Sequence, residues 1–335
     1  MQPFEAVQAK RLSVPETPRS TPKISVVIPV YNYAEFLPRA LESVLSQQDA
    51  NLEVVVVDDG SIDTTSNVAQ DWVGKYPNSI RYLHQDNQGP GAARNRGAEV
   101  SSGDYLLFLD ADDGLLPGAL SKFRAVIDSH PDIDLIYGGC RSVYRDGSLR
   151  ERRAPQPSLV KLENFARFVR GKLPCVGGAI LIRKRVFDAL HYPESIRTSE
   201  DYVFFAQAFA LYACASFPEP VVSITKHSMS LRHDYDVLNA SGMKMIDLLF
   251  DPNILPEACF TLRDEVRSRW CLVVSRALYK HGDYRCARQM YEQGIRTYPR
   301  HVLLVSYLRK YLKTNAKLVL GKDGRNSRST ATRRN

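Results

Sequence analysis

Residues Tyr105–Gly114 read YLLFLDADDG, an apolar stretch that runs directly into three aspartates. The apolar part has the length and composition of a buried strand. Asp110, Asp112 and Asp113 then crowd like charges at the point where that strand ends, which costs free energy unless something offsets the repulsion. We therefore expect the end of this strand to be a binding site.

The region upstream predicts a doubly wound, mostly parallel α/β sheet with a Rossmann-like nucleotide-binding half. β-branched runs alternate there with segments whose apolar residues have helical spacing. The predicted strands are 24–29, 53–57, 80–84 and 105–109. The predicted helices between them are 35–48, 64–72 and 91–100. Ligands of such sheets bind beyond the carboxyl ends of the strands, which is where YNY, DDGS and DADD fall.

Beyond residue 115 the pattern is looser. It predicts a strand at 135–144, helices at 162–169 and 198–214, and helical structure from about 236 to 320. Within the last segment, Gly282–Pro299 resembles the second half of a tetratricopeptide repeat. A repeat array needs about three copies or more, so we expect one helical hairpin packed on the α/β domain.

The predicted organisation has four parts. They are a flexible leader (1–22), an α/β domain (23–235, divided near 115 into nucleotide-binding and acceptor halves), a helical extension (236–320) and a basic disordered tail (321–335). The leader lacks the apolar core of a signal peptide, and no apolar run approaches the ~20 residues of a membrane span. Six scattered cysteines without a C-x-x-C pair favour free thiols in the cytoplasm.

The basic charge is concentrated at the end of the chain. Residues 309–335 carry nine basic side chains and one acid, which accounts for the whole formal charge of +8. One interpretation is a cationic end that holds the protein against the anionic inner face of a membrane. The alternative is a solvated tail. Nucleic-acid binding is not expected, because the rest of the chain is neutral.

The D-x-D unit is typical of a metal site. In an extended segment the side chains of Asp110 and Asp112 point the same way, with Asp113 turned aside. Two carboxylates with open positions suit Mg²⁺ or Mn²⁺ bound together with a phosphate. The alternative is an Asp-rich turn that ends a strand.

Two further loops offer nucleotide-binding groups at the same edge. Asp59 in the DDGS loop can accept the N3–H of a uracil or hydrogen-bond to ribose, and Tyr31 offers a flat face for base stacking. For Tyr31 a half-buried packing role is an equally good interpretation.

Four motifs together resemble glycosyltransferase family 2. They are VVIPVYNYAEFLPRALESVLSQ (26–47), VVVVDDGSIDTT (54–65), NQGPGAARNRGAEVSSGDYLLFLDADD (87–113) and SEDYVFF (199–205). Their order and spacing are similar to those of members with a GT-A-type fold. The resemblance is strong over 22–115 and looser to 235.

The resemblance implies an inverting, hexosyltransferase-type enzyme. It would move a sugar from a nucleoside diphosphate, usually UDP, to a hydroxyl of a glycan or lipid-linked glycan in bacterial surface-polysaccharide or glycolipid synthesis. Asp112 would ligate the metal, and Asp110 would contact either the ribose or the metal. The positions that match the family's nucleotide-binding residues are Pro29, Tyr31, Glu35, Asp59, Arg94 and Asp110. For Arg94 a salt bridge at the sheet edge is the alternative.

The resemblance also implies a general base in the pair Glu200-Asp201. We expect Asp201 to take the proton of the acceptor hydroxyl, with Glu200 as the alternate. Acidic residues also stabilise a helix's first turn, so capping is the competing interpretation, with Ser199 as the N-cap. Gly177, Gly178 and His227 match an acceptor or diphosphate loop less closely, and a plain turn and a surface histidine are the alternatives there.

Two other functions compete with this one. The first is a non-catalytic nucleotide-sugar-binding scaffold for the C-terminal helices. The second is a haloacid-dehalogenase-type phosphatase, whose D-x-D also follows an apolar strand. Those phosphatases carry the motif on the first strand and normally have Thr or Val at the second position after it, whereas here it follows the fourth strand and Gly114 occupies that position.

Overall fold

The computed structural model describes residues 21–173, 176–226 and 243–321. Its strands form one mixed sheet, in the order β3-β2-β1-β4-β8-β6-β9-β5 with β7 paired to β6. The strands are β1 Ile24–Val30, β2 Leu52–Asp58, β3 Ile80–His84, β4 Tyr105–Phe108, β5 Gly114–Leu115, β6 Leu135–Val143, β7 Leu149–Arg152, β8 Ile180–Arg183 and β9 Cys214–Thr225.

Helices cover the sheet and then continue as a separate layer at the C-terminal end. They are α1 Leu37–Leu45, α2 Thr65–Lys75, α3 Pro90–Val100, α4 Ala119–Ser129, α5 Lys161–Val169, α6 Glu200–Leu211, α7 Lys244–Leu249, α8 Arg263–His281, α9 Tyr284–Thr297 and α10 Val305–Val319. Short 3₁₀ helices occupy Lys184–Asp188, Glu257–Leu262 and Pro299–Leu303. Among the described residues no helix is both long and apolar enough to cross a bilayer.

The first half of the sheet is parallel, as the sequence predicts. β1 pairs in parallel with both β2 and β4, and β2 with β3. Alternate residues of these strands enter different cores: Val54 and Val56 face one side of the sheet, and Val55 and Val57 the other. Burial on both faces explains why β2 is an unbroken apolar run instead of an alternating one.

Helix α3 lies unusually close to this sheet. A β-carbon at Gly97 would collide with the side chain of Val27 and stand 3.2 Å from Val57. The small residue therefore allows the helix to approach β1 and β2. That approach places Arg94, on the same helix, at the edge where the strands end.

The second half of the sheet is mixed, with antiparallel pairings that the sequence did not indicate. β8 is antiparallel to both β4 and β6, while β6 and β9 are parallel. The helix predicted at 198–214 is shorter: α6 ends at Leu211, and Cys214 begins β9, a twelve-residue strand that was not predicted. The prolines at 218 and 220 in β9 explain the omission, because proline argues against a strand in sequence.

The C-terminal region is helical, but not continuously so as predicted. Pro252, Pro256 and Pro299 lie in the breaks between its helices. The segment predicted as a hairpin forms α9, which packs along α8. This layer is joined to the α/β part, since Arg170 and Glu265 form an ion pair with an N–O distance of 2.8 Å and Val266 lies in the core that contains α6.

Candidate active site at the strand ends

The loops after β1 and β2 are bound to each other. The backbone N–H of Asn32 donates to the Ser61 hydroxyl at 2.9 Å, and the Asn32 side-chain oxygen accepts from the N–H of Ile62 at 2.8 Å. Tyr31 projects from this junction with 45% of its surface exposed. Nearly half of the residue surface is thus accessible to a ligand.

Two other residues predicted to bind nucleotide lie near these loops. Pro29 is half-buried in β1, opposite Val57 of β2. Glu35 is exposed in the turn before α1. Both belong to the segment that leads from the first strand into the site.

The adjacent aspartates of the DDGS loop have different partners. Asp58 is fully buried and accepts hydrogen bonds from the N–H of Ser61 and the hydroxyl of Tyr82, both at 2.8 Å. Asp59 accepts from the backbone N–H groups of Gln88 (2.9 Å) and Gly89 (2.8 Å) and from the Gln85 side chain (2.8 Å). These bonds fix Asp59 rigidly against the start of α3. A carboxylate has roughly four acceptor positions, so about one stays available to a ligand.

Arg94 connects the two halves of the sheet. Its guanidinium donates to Asp110 at 2.8 Å and to Glu200 at 2.6 Å. Burial alone would lower the pKa of Arg94, but the charges of Asp110 and Glu200 outweigh it and raise that pKa. In the structure, Arg94 therefore forms salt bridges at the sheet edge, as in the alternative interpretation of this residue. The pairs bring the end of β4 and the start of α6 to one place.

Asp110, Asp112 and Asp113 form a compact carboxylate cluster, in which one oxygen from each residue lies within 4.8 Å of the other two. Asp113 is buried and accepts a hydrogen bond from the N–H of Thr225 at 3.0 Å. Burial first, and then the charges of Asp110 and Asp112, raise the pKa of Asp113 well above its ordinary value. The Asp113 carboxyl thus holds its proton more strongly than an ordinary aspartate, and the charges of Asp110 and Asp112 contribute to that effect.

This donor set fits a divalent cation. Carboxylate oxygens are the preferred ligands of Mg²⁺ and Mn²⁺, and a cation would relieve the repulsion that the pKa of Asp113 records. One oxygen of Asp110 is paired with Arg94, and Asp113 is held by β9. The second oxygen of Asp110 could therefore serve as a ligand together with Asp112, the other end of the D-x-D unit.

The start of α6 supplies the pair predicted to contain the base. Ser199 occupies the N-cap position with a left-handed φ of 64°, and its side chain makes no capping hydrogen bond. Glu200 is buried against Arg94. Asp201 keeps exposed surface, and its carboxylate accepts from the N–H of Tyr202 at 2.7 Å.

The environment of Asp201 makes it a proton acceptor near neutral pH. The pKa of Asp201 is raised to about 6, mainly by the protein atoms that surround its carboxylate. The negative charge of Glu200 also raises this pKa, by more than the positive charge of Arg94 lowers it. A carboxyl group with this pKa is ionised at pH 7 and is more basic than an ordinary aspartate. Glu200, by contrast, already serves as the partner of Arg94.

The glycine pair Gly177-Gly178 packs directly against the end of β4. The N–H of Gly178 donates to the carbonyl of Phe108, at 2.5 Å, and its φ is +72°. A β-carbon at Gly178 would stand 2.8 Å from Val222, whereas one at Gly177 would be 3.9 Å from an oxygen of Asp110. Glycine at 178 is thus required by the backbone conformation and by the packing against Val222, and Gly177 lies beside the carboxylate of Asp110, with its nearest neighbour the carbonyl oxygen of Phe108 at 3.3 Å from such a β-carbon. His227 lies outside the described residues.

Two contributors escaped prediction because they depend on contacts far apart in sequence. Arg39 of α1 donates to the carbonyl of Asp112 and to the Thr225 hydroxyl, the latter at 2.7 Å. Thr225 ends β9, a strand with no clear sequence signal. Together they join the D-x-D loop to the second half of the sheet.

A cavity of about 740 Å³ lies elsewhere. Its lining includes Gln85, Gln88, Asn95 and His191, on the side of α3 that faces away from Asp110. It contains none of the predicted carboxylates, so it is not the site assembled above. It borders that site only through Gln85 and Gln88, which hold Asp59.

Residues 25–190 match the family model "Glycosyl transferase family 2". The mixed α/β sheet with its nucleotide-binding half has the GT-A-type architecture expected from the motifs. The chain belongs to glycosyltransferase family 2.

Its relatives agree with this assignment. The uncharacterized glycosyltransferase YibD of Escherichia coli K12 is 43% identical over 98 residues, which cover 29% of this chain and 28% of YibD. The minor teichoic acid biosynthesis protein GgaA of Bacillus subtilis 168 is 30% identical over 194 residues, or 55% of this chain and 42% of GgaA. The chain thus spans less than half the length of these relatives.

A solved structure shows the same fold over most of the chain. The crystal structure of S. aureus TarS 1–349 in complex with UDP superposes with a TM-score of 0.57 at 20% identity, covering 89% of this chain and 92% of that one. A further structure of the same TarS fragment contains UDP-GlcNAc and gives the same TM-score. The fold therefore extends through the C-terminal helices.

Proposed function

We propose that this chain transfers a hexosyl group from a UDP-sugar to an acceptor hydroxyl with inversion of configuration, and that Asp201 is the general base. The observation that carries the proposal is the convergence of carboxylates from both halves of the sheet, joined through Arg94. Asp201, next to Glu200 at the start of α6, has a pKa of about 6, as a base working at neutral pH requires. The UDP complexes of TarS support UDP as the nucleotide.

The nucleoside would lie across the first two loops. Tyr31 presents its exposed ring for stacking, and the remaining acceptor position of Asp59 is available to the base or ribose. The hydrogen bonds that hold Asp59 keep this acceptor in a fixed position, which limits the entropy lost on binding.

A divalent cation held by Asp112 and Asp110 would neutralise charge on the departing diphosphate. The buried Arg94 holds Asp110 in position for this role. Mn²⁺ and Mg²⁺ both fit the oxygen ligands.

Inversion requires the acceptor oxygen to approach the sugar from the side opposite the diphosphate. Asp201 would remove the proton from that hydroxyl as the new bond forms. Glu200 cannot easily share the task, because it is buried and paired with Arg94. Its role would be to fix the start of α6 and to raise the pKa of Asp201.

The acceptor would be a glycan or lipid-linked glycan in surface-polysaccharide or glycolipid synthesis. The name of GgaA, a protein of teichoic acid biosynthesis, supports this class. A cytoplasmic enzyme acting on a lipid-linked acceptor would work at the inner face of the membrane. The basic segment 309–335 was predicted to aid that contact, although residues 322–335 lie outside the described part of the chain.

A panel of nucleotide sugars tests the proposal. The purified chain is mixed with UDP-glucose, UDP-galactose, UDP-GlcNAc, GDP-mannose and dTDP-glucose, with Mn²⁺ or with EDTA. Melting temperature and nucleotide release are then measured. We expect at least one UDP-sugar to raise the melting temperature only with Mn²⁺ and to release UDP slowly. If a nucleotide sugar binds but no nucleotide is released, the non-catalytic scaffold is favoured. If no nucleotide sugar binds, both functions are contradicted.

A further inference from the structure

The last helix of the described chain has an apolar outer face. Val305, Leu312 and Val319 recur every seven residues along α10, which places them on one side of the helix. They are 55%, 60% and 87% exposed, and Leu303 in the preceding 3₁₀ turn and Leu320 at the helix end extend the same surface. We name these five residues the α10 face. Five large aliphatic side chains exposed together are unusual on a soluble surface.

The opposite side of α10 is fully used by the fold. Tyr311 stacks on Tyr291 of α9 with ring centroids 4.3 Å apart, and its hydroxyl donates to Glu292 at 3.1 Å. Thr314 is buried in the same contact. The helix is therefore anchored by its inner side, and the α10 face is not needed to hold it in place.

Basic side chains surround the α10 face. Arg309 and Lys313 are exposed between its apolar residues. Residues 293–322 contain no aspartate or glutamate, and their basic side chains are Arg296, Arg300, Arg309, Lys310, Lys313, Lys317 and Lys322. Partial burial, and then repulsion from Arg276, Lys280 and Lys313, lowers the pKa of Lys310. The surface is both apolar and strongly positive.

We propose that the α10 face docks on an anionic lipid surface, with α10 lying parallel to the bilayer. A helix with exposed aliphatic residues and flanking lysines and arginines is suited to the boundary between acyl chains and negative headgroups. A second copy of this chain fits less well, because two identical faces without acidic residues would repel. This inference rests on the membrane contact included in the proposed function and assigns it to the α10 face, but its test does not depend on the nucleotide or the sugar.

Vesicle flotation of the 335-residue chain tests the proposal. We expect the chain to float with vesicles of phosphatidylcholine and phosphatidylglycerol in equal parts, to remain behind with phosphatidylcholine alone, and to dissociate as salt increases. The triple variant Leu303→Ser, Leu312→Ser, Val319→Ser should bind at least about tenfold more weakly. The triple variant Arg309→Gln, Lys313→Gln, Lys317→Gln should lose roughly a hundredfold, at about fivefold per charge.

Matched controls lie on the α/β domain. The pair Leu149→Ser, Leu159→Ser removes two aliphatic residues that are at least as exposed as Leu312, and Arg150→Gln, Arg153→Gln, Lys161→Gln removes three exposed charges. Both controls should float like the unmodified chain. Unchanged circular-dichroism melting of all variants would show that they fold.

Three results would overturn the proposal. The first is undiminished flotation of both α10-face variants, and the second is equal binding to neutral vesicles. The third is loss of binding when only residues 322–335 are deleted, which would assign the contact to the tail. Size-exclusion chromatography with light scattering tests the alternative occupant of the α10 face, a second copy of this chain. An oligomer that the serine variant dissociates, without vesicle binding, would mean that the face joins copies of the chain.

Discussion

The two halves of the sheet bring carboxylates to the same edge in different surroundings. In the parallel half, Asp58 and Asp59 are buried and accept several hydrogen bonds within the chain. In the second half, Asp201 keeps exposed surface and has a pKa of about 6. The first arrangement suits a rigid binding surface, whereas the second suits a group that gains and loses a proton.

Arg94 explains how neighbouring residues in the second half come to differ. It pairs with Glu200 at 2.6 Å and with Asp110 at 2.8 Å. Glu200 is thereby committed to an ion pair across the halves, while Asp201, one position further, is left to face the site. The division between binding and proton transfer thus depends on one buried guanidinium.

The largest effect is expected from Asp201→Asn. Loss of a general base should reduce kcat by about 10²–10⁴-fold while leaving the affinity for UDP and Mn²⁺ unchanged. Steady-state kinetics and calorimetry measure the two quantities. Asp71→Asn, an exposed aspartate of α2, is the control for loss of one charge. Normal turnover by Asp201→Asn would remove this residue from the mechanism.

Asp112→Ala should act on binding instead. Removal of a residue that binds the metal directly should weaken Mn²⁺-dependent UDP binding by at least about 10–100-fold. That is the loss typical when a residue that only hydrogen-bonds to a metal ligand is removed. Calorimetric titration of UDP with and without Mn²⁺ gives the difference. The control Asp132→Ala removes an exposed aspartate from the loop before β6. If UDP affinity in Asp112→Ala still depended on Mn²⁺, the metal site would have to lie elsewhere.

Gly178→Ala tests whether the loop before β8 must pack closely against Val222 of β9. Its left-handed φ and the 2.8 Å approach to Val222 together predict a loss of about 2–5 kcal/mol in the free energy of unfolding. Gly147→Ala has a similar φ of +78° but no atom within 4 Å, so it should cost only about 1–2 kcal/mol. Urea denaturation measures both, and equal losses would show that the packing against Val222 is unimportant.

The smallest expected effect is in the pH profile. Asp201 must be ionised to accept a proton, so kcat/KM should rise with pH and level off above about pH 6. Below that point the activity should fall about tenfold per pH unit. Glu200→Gln removes the charge that helps to raise this pKa, and should move the midpoint to lower pH. A midpoint near pH 4 in the unmodified chain would contradict the environment described for Asp201.

Much of the parallel half was predictable because its signals are local. The run Val54–Val57 indicated a strand buried on both faces, and the structure places it in β2. The D-x-D and DDGS motifs located their loops because polar residues at the ends of parallel strands meet at one edge.

The rest depends on contacts distant in sequence. No periodic pattern in the sequence marks the insertion of β8 between β4 and β6. The same holds for the pairing of β9 with β6, which includes a register shift. The hydrogen bond from Thr225 to Asp113 and the contact of Arg39 with Asp112 follow from that pairing. Motif order could propose Asp201, but its raised pKa results from the surrounding protein atoms and the charge of Glu200, which only the folded chain brings together.

A crystal structure with UDP and Mn²⁺ tests the central claim most directly. The account predicts anomalous density for one Mn²⁺ between Asp112 and the diphosphate, the uracil beside Tyr31 and Asp59, and Asp201 facing the open side of the site. Nucleotide bound away from these loops, for instance in the cavity beside His191, would contradict it.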